Sequence, residues 1–188
     1  MVDYKANLII DVYRDGKFSE QIEKNNVLCN TGRLFAVRRL VGEIAGITYN
    51  PINVFVAGDQ GTADPSDADS LPLTPEPIQV SINHEVIRTE IDYDGCSSSP
   101  VDPNASDDPI SLTVNGTISS KDVDPGLVYV GRVSEAGLVC ATPSDATYDH
   151  SSPDDYVLVT YTTFKAIPFA IAENVVFSIS WNVFCSRG

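Results

Sequence analysis

Residues 174–184 alternate apolar and polar side chains almost without a break. Phe177, Ile179 and Trp181 share one face of an extended chain, and serine and asparagine side chains occupy the other. A period of two residues is typical of a β-strand with one face in a core and the other in solvent. We therefore expect the chain to use its C-terminal segment to complete a sheet.

Strand patterns of this kind recur along the chain between proline-rich and aspartate-rich connections. An N-terminal hairpin is predicted over residues 1–24. Further strands are predicted over residues 52–57, 78–93, 110–118, 127–133, 137–140 and 156–164. Roughly eight strands at this spacing predict a mainly β fold, an antiparallel β-sandwich that is jelly-roll-like or immunoglobulin-like. Each loop is flanked by strands that would lose their partners if cut off, so we expect a single domain over residues 1–188.

One short α-helix is predicted near residues 32–42, as part of a segment 30–42 that packs on the hairpin. Apolar side chains recur with helical spacing from Leu34 onward, and Asn30 or Thr31 can cap the start. The sequence shows no other helical segment of comparable strength.

The chain carries 26 acidic and 12 basic residues, which gives a net charge of −14. A surface of this kind repels phosphate backbones and anionic lipid, so nucleic-acid binding is not expected. No stretch reaches the roughly 18 apolar residues of a membrane span, and no export signal is recognisable, so we expect neither membrane insertion nor secretion. The cytoplasm is the expected place of synthesis and assembly.

Two interpretations of the acidity remain open. Dense carboxylates are tolerated in concentrated salt, where screening is strong, and this favours a halophilic protein. The alternative is calcium or another loosely bound cation, with Asp64, Asp67 and Asp69 as the candidate ligands. Their loop lacks the central glycine and terminal glutamate of an EF-hand. No other cofactor is expected.

The residues that most often carry catalysis are sparse. The two histidines, His84 and His150, do not neighbour a serine or cysteine in a recognisable nucleophile motif. We expect His84 to be an ordinary strand residue. The four cysteines show no metal-binding spacing. The sequence therefore predicts a protein that is not an enzyme and has no catalytic residues.

Several short motifs follow one another in a fixed order: NVLCNTGRL at 26–34, INVFVAG at 52–58, VSEAGL at 133–138, YTTFKAIP at 161–168 and SISWNV at 178–183. This order resembles a group of small virion proteins of tailed viruses, found among head decoration, fibre and tail components, in which a short helix precedes a β-sandwich. The resemblance implies a non-enzymatic structural protein of a virus particle. Together with the acidic surface, it suggests a virus of a halophilic, haloarchaeal host.

The resemblance implies that the chain binds other copies of itself and other virion proteins, on the capsid exterior as a decoration or turret component, or in the tail or baseplate. Candidate assembly contacts are Pro168, Phe169 and Phe184, for which a place in the core is the alternative. The competing hypothesis is a receptor- or glycan-binding module that contacts the host cell surface. Its candidate residues lie in acidic, tyrosine-containing loops: Tyr93, Tyr148, Asp149, Asp154 and Asp155.

Overall fold

The structure is a computed structural model that describes residues 2–41, 52–91, 96–99, 110–120, 131–141, 156–169 and 173–187. These residues form nine strands and one helix, in the order β1 (Val2–Arg14), β2 (Lys17–Leu28), α1 (Asn30–Val41), β3 (Val54–Gly58), β4 (Glu85–Glu90), β5 (Ser97–Ser99), β6 (Ile110–Ser119), β7 (Arg132–Ala141), β8 (Tyr156–Pro168) and β9 (Val175–Arg187). The strands hydrogen-bond in the order β4-β3-β7-β8-β2-β1-β9-β6-β5, with antiparallel neighbours throughout. The predicted mainly β, antiparallel fold with one short helix is confirmed.

The N-terminal hairpin closes through a two-residue turn. Asp15 and Gly16 have φ angles of 49° and 75°, the left-handed backbone that a tight hairpin turn of this length favours. Glycine adopts this conformation without a steric penalty, and aspartate is among the few other residues that tolerate it. Strand β2 extends well beyond the predicted end of the hairpin, to Leu28.

The strongly alternating C-terminal segment becomes β9, which lies inside the sheet. It pairs with β1 from Val175 to Arg187 and, on its other side, with β6. Phe177, Ile179 and Trp181 are buried, as the alternation predicts. The strand therefore joins its neighbours on both sides along most of its length.

The two halves of the sheet pack their inner faces together. In one half, β1, β6 and β9 contribute apolar side chains, and in the other half β3, β7 and β8 do so. The rings of Phe55 and Trp181 meet across the core with centroids 6.2 Å apart. Gly116 lies so close to the Phe55 ring that a Cβ atom there would overlap it. Pairing of Val27 and Leu28 in β2 with Tyr161 and Thr160 in β8 connects the halves.

Helix α1 packs against β8, a contact that the sequence analysis, which placed the helix on the hairpin, did not predict. Thr31 Oγ1 donates to the Leu158 carbonyl oxygen at 2.6 Å, so this hydroxyl holds the helix to β8 instead of capping it. The Cys29 amide donates to the Val159 carbonyl at 3.0 Å. A Cβ atom at Gly32 would overlap the Val159 backbone. The Asn-Thr-Gly sequence therefore allows close contact between helix and strand.

Three further stretches differ from the sequence-based prediction. Strand β7 continues through residues 134–136, which the sequence analysis placed between two shorter strands. Residues 78–84 belong to the connection between β3 and β4, and the strand itself begins only at Glu85. The three-residue β5 lies in a stretch predicted as loop. In each case hydrogen bonds between distant segments decide the structure, and these leave no local pattern.

Candidate functional site

The most unusual polar group in the described structure is Glu135, which is fully buried on the outer face of β7. Its Oε1 accepts hydrogen bonds from the backbone amides of His84 at 2.9 Å and Gln60 at 3.3 Å. Its Oε2 accepts from the Asn83 amide at 3.0 Å and from the Tyr161 hydroxyl at 2.8 Å. Four donors thus surround one carboxylate, which compensates for its removal from water.

Two glycines allow the chain to approach this carboxylate. Gly58 lies directly opposite Glu135 in the β3–β7 ladder. A Cβ atom at Gly58 would overlap the Glu135 side chain, and one at Gly61 would overlap the backbone of Ser134. The Gly61 amide donates to Ser134 Oγ at 2.9 Å. Glycine is therefore needed at the end of β3 and at position 61 of the following connection, because only a backbone without a side chain fits over β7 there.

The connection between β3 and β4, residues 59–84, is fastened at several further points, and we refer to it as the anchored loop. Thr163 Oγ1 donates to the Leu73 carbonyl at 2.5 Å. Lys165 Nζ forms an ion pair with Asp69 at 2.8 Å. The Asn30 amide, at the start of α1, donates to the Pro77 carbonyl at 2.7 Å. Proline-rich and without regular strands, this loop nevertheless has one defined path across β7 and β8.

Tyr161 and Cys29 beneath the loop are held in their neutral forms. Burial raises the pKa of the Tyr161 phenol, and the neighbouring Glu135 carboxylate raises it further. Burial also raises the pKa of the Cys29 thiol to about 12, and Arg33 offsets only part of that effect. Because the thiolate is the reactive form of cysteine, Cys29 is not activated as a nucleophile. Tyr161 acts as a hydrogen-bond donor to Glu135.

A second acidic group lies at the edge of this cluster. Asp59 Oδ1 and His84 Nδ1 are 2.7 Å apart, and the side chains are 3% and 49% exposed. A buried aspartate that orients a histidine is part of catalytic triads, but a triad also needs a hydroxyl or thiol against the imidazole. In the described ranges, no serine, threonine or cysteine side chain hydrogen-bonds to the His84 ring. The pair therefore fixes the end of the anchored loop just before β4, whereas the sequence analysis placed His84 within a strand.

The three predicted calcium ligands each have a separate partner. Asp64 Oδ1 accepts from the Ser66 amide at 2.9 Å and from its hydroxyl at 2.6 Å, and the hydroxyl bond lowers the pKa of Asp64 most. Asp67 accepts from the Asp69 amide at 2.9 Å. The ion pair with Lys165 lowers the pKa of Asp69. Across the described part of the chain, no three His, Cys, Asp or Glu side chains are grouped so that they could hold a metal ion.

The candidate assembly residues fall into different surroundings. Phe169 is fully buried and its ring centroid lies 4.6 Å from that of Phe177, so it belongs to the core, which was the alternative for this residue. Pro168 is exposed at the end of β8. Phe184 lies in β9 opposite Ser111, and its side chain is outside what the structure describes. The candidate receptor residues all lie outside the described residues: Tyr93, Tyr148, Asp149, Asp154 and Asp155.

The anchored loop presents apolar side chains to solvent. Leu71, Ile78 and Val80 are 78%, 69% and 63% exposed, and Leu73 is 40% exposed. Four large exposed apolar side chains on one fastened loop are candidates for a protein–protein contact. The sequence analysis did not identify these exposed side chains, because their exposure depends on how the loop is fastened to the sheet.

Glu135 was also missed as a functional residue, although one signal was present. It is the one acidic residue in β7, whose other members are apolar or small apart from Arg132 at the start. A lone carboxylate in such a strand indicates a buried group with dedicated donors. Its donors come from residues 60, 83, 84 and 161, which the sequence alone does not bring together.

Comparison of the chain with protein-family models, with curated proteins and with solved structures finds no match. Among the described residues, no helix combines the length and the apolar character that a membrane crossing requires.

Proposed function

We propose that the chain is a non-enzymatic structural subunit of a tailed virus particle, and that its anchored loop binds a neighbouring copy. The observation that carries this proposal is the exposure of four apolar side chains, at positions 71, 73, 78 and 80, on a loop that Glu135 and Thr163 hold to the sheet. A surface fixed before binding loses little conformational entropy when it associates, so a modest apolar area suffices.

The charge of the chain fits association in concentrated salt. Two copies with a net charge of −14 repel each other in dilute buffer. At an ionic strength of about 1 M the screening length falls to about 3 Å, so the repulsion weakens while apolar contacts persist. We therefore expect association to strengthen as salt concentration rises, as suits a protein of a halophilic host.

The motifs that resemble virion proteins supply the parts that build the anchored loop. Gly58 comes from INVFVAG, Glu135 from VSEAGL, and Tyr161 and Thr163 from YTTFKAIP. The helix-docking Gly32 comes from NVLCNTGRL. This supports a shared scaffold function for the motifs. We favour the capsid exterior as the location of the chain, and the tail or baseplate is the second candidate.

The test is the mass of the purified protein in molar salt, measured by light scattering. We expect a closed oligomer for the natural chain and a monomer for Ile78→Asp, with the same midpoint of urea unfolding for both. Thr74→Asp is the matched control, because it adds the same charge at another exposed position of the same loop. A natural chain that stays monomeric at high protein concentration, or an Ile78→Asp variant that associates normally, would contradict the proposal.

A second measurement addresses the virus particle. An antibody raised against the purified chain should label the head of intact particles if the chain is a decoration or turret component. Labelling confined to the tail would assign it to the tail or baseplate, and particles without any label would exclude a virion role.

A further inference from the structure

Strands β2 and β8 separate after a short stretch of pairing and leave a cavity between them. They pair through Val27–Tyr161 and Leu28–Thr160. The same register would place residue 23 opposite residue 165 and residue 21 opposite residue 167. Residues 20–24 and 165–168 instead line the two sides of a cavity of about 780 Å³. Residues 68–72 of the anchored loop form its third wall, and we call the cavity the β2–β8 groove.

Both strands present an open edge to this groove. Strand β2 uses its other edge to pair with β1, and β8 uses its other edge to pair with β7. Thr162 Oγ1 donates to the Asn25 carbonyl at 3.4 Å, so the Asn25 backbone is directed toward β8. Backbone N–H and C=O groups point to opposite sides at successive residues of a strand. Those of Glu23 and Gln21, two and four residues before Asn25, therefore also point toward β8. Facing edges of this kind are a template for another extended chain.

The walls of the groove combine apolar and charged groups. Ile22, Ala166 and Ile167 supply apolar surface, while Pro168 at the end of β8 has no amide hydrogen to donate. A strand placed here would therefore gain backbone hydrogen bonds along two edges, and alternate side chains would contact apolar surface.

The charges that line the groove have a small acidic excess, which favours a basic strand over an acidic one. The lining contains three carboxylates against two ammonium groups: Glu20, Glu23, Asp69, Lys24 and Lys165. Lys165 is already paired with Asp69. Its pKa is raised by Asp69 first, and Glu20 and Asp67 act in the same direction, so the surroundings of Lys165 are acidic. Arg14 lies 3.9 Å from Glu20, a weak contact at the rim.

We propose that the β2–β8 groove binds an extended, lysine- or arginine-containing segment of a partner protein, which adds a strand between β2 and β8. A second copy of this chain fits less well, because it carries 26 acidic residues against 12 basic ones. Leu71 lines this groove and is also one of the four exposed apolar residues proposed to bind neighbouring copies, whereas Leu73, Ile78 and Val80 do not line it. Ile78→Asp therefore tests the contact between copies outside the groove, and Ala68→Trp tests the groove itself, so the two proposals can fail independently.

The test uses a short fluorescein-labelled peptide that repeats lysine, valine, threonine and valine, at the lowest salt concentration at which the protein stays folded. Fluorescence anisotropy should show saturable binding. Ala68→Trp, which places a large ring in the groove wall, should weaken binding by about tenfold or more. Ala63→Trp is the matched control on the same loop, since Ala63 is exposed and does not line the groove. Urea unfolding of both variants checks that they fold.

Two modified peptides keep the result interpretable even if Ala68→Trp does not fold. A backbone-methylated peptide has the same charge but cannot form the ladder, and it should not bind. A peptide with glutamate in place of lysine should bind much more weakly than the lysine peptide. Equal binding of the methylated and unmethylated peptides would overturn strand addition, because attraction to the acidic surface alone would then explain the result. Release of the bound peptide as the chain self-associates at higher protein concentration, with no preference for lysine peptides, would assign the groove to a second copy and overturn the proposed partner.

Discussion

The two faces of the sheet formed by β3, β7 and β8 are stabilised in different ways. The inner face packs apolar side chains such as Phe55, Leu138 and Phe164 against the opposite half of the sheet. The outer face has a smaller apolar cluster that includes Val56, Val139 and Leu158. There, Glu135 and Tyr161 also hold the anchored loop through hydrogen bonds. Burial of apolar surface has no direction, while a hydrogen bond does. The inner face therefore supplies most of the stability, and the outer face determines the conformation of one loop.

The largest effect should come from the inner face. Trp181 is fully buried and contacts Phe55 across the core. Trp181→Ala should lower the free energy of unfolding by about 3–5 kcal/mol, because it removes a large side chain from a packed core. Urea unfolding measures the loss. Leu112→Ala on the neighbouring β6, at a position that is 42% exposed, should change stability by less than about 0.5 kcal/mol. Equal losses at the two positions would show that burial of Trp181 in the core is not the source of its contribution to stability.

The outer face should give a smaller loss that is concentrated in the loop. Glu135→Gln keeps the size of the side chain but replaces one acceptor oxygen with an NH₂ group that is itself a donor. Buried backbone amides of the anchored loop then lose a hydrogen-bond acceptor. We expect a loss of about 2–3 kcal/mol in urea unfolding. Glu76→Gln, an exposed position on the same loop, is the control and should be nearly neutral. A Glu135→Gln variant as stable as the natural chain would mean that the carboxylate does not fasten the loop.

Alkaline pH should weaken the same region by a smaller amount. Cys29 and Tyr161 have raised pKa values in the folded protein, against ordinary values of 9.0 and 10.0. The folded chain keeps protons that the unfolded chain releases, so their contribution is complete below pH 9 and is lost as pH rises. From pH 9 to pH 10 the expected loss is about 1 kcal/mol, mainly from Cys29.

Substitutions of Cys29 and Tyr161 separate their contributions to the loss of stability at alkaline pH. Cys29→Ala should flatten the decline between pH 9 and pH 10, and Tyr161→Phe should flatten it above pH 10, both followed by urea unfolding at a series of pH values. Stability that stays constant to pH 11 in the natural chain would contradict the burial of these two groups.

The sequence predicts the inner face better than the outer one, for a physical reason. Alternation identifies β9 and the buried positions Val114 and Ile118, because a two-residue period reports directly which side meets the core. Leu112 follows the same two-residue period but is exposed. Alternation shows which face of a strand points toward the core, but it does not show how far along the strand the core extends. The helix was predicted from local spacing, yet its place on β8 depends on the absence of a side chain at Gly32.

The candidate site could be predicted much less well. The contacts of Glu135 join residues that are 26 to 75 positions apart in the chain. His84 has no local signal of its pairing with Asp59, and the carboxylates at 64, 67 and 69 each form their own contact. Spacing along the chain suggested a cation site there, while the path of the loop separates these contacts.

Hydrogen exchange at the amides of Asn83 and His84 tests most directly whether Glu135 fastens the anchored loop. These two amides donate to the buried carboxylate. In the natural chain they should exchange nearly as slowly as strand amides of β7, and in Glu135→Gln they should exchange rapidly while amides of β1 and β9 stay protected. Rapid exchange at Asn83 and His84 in the natural chain would contradict the account.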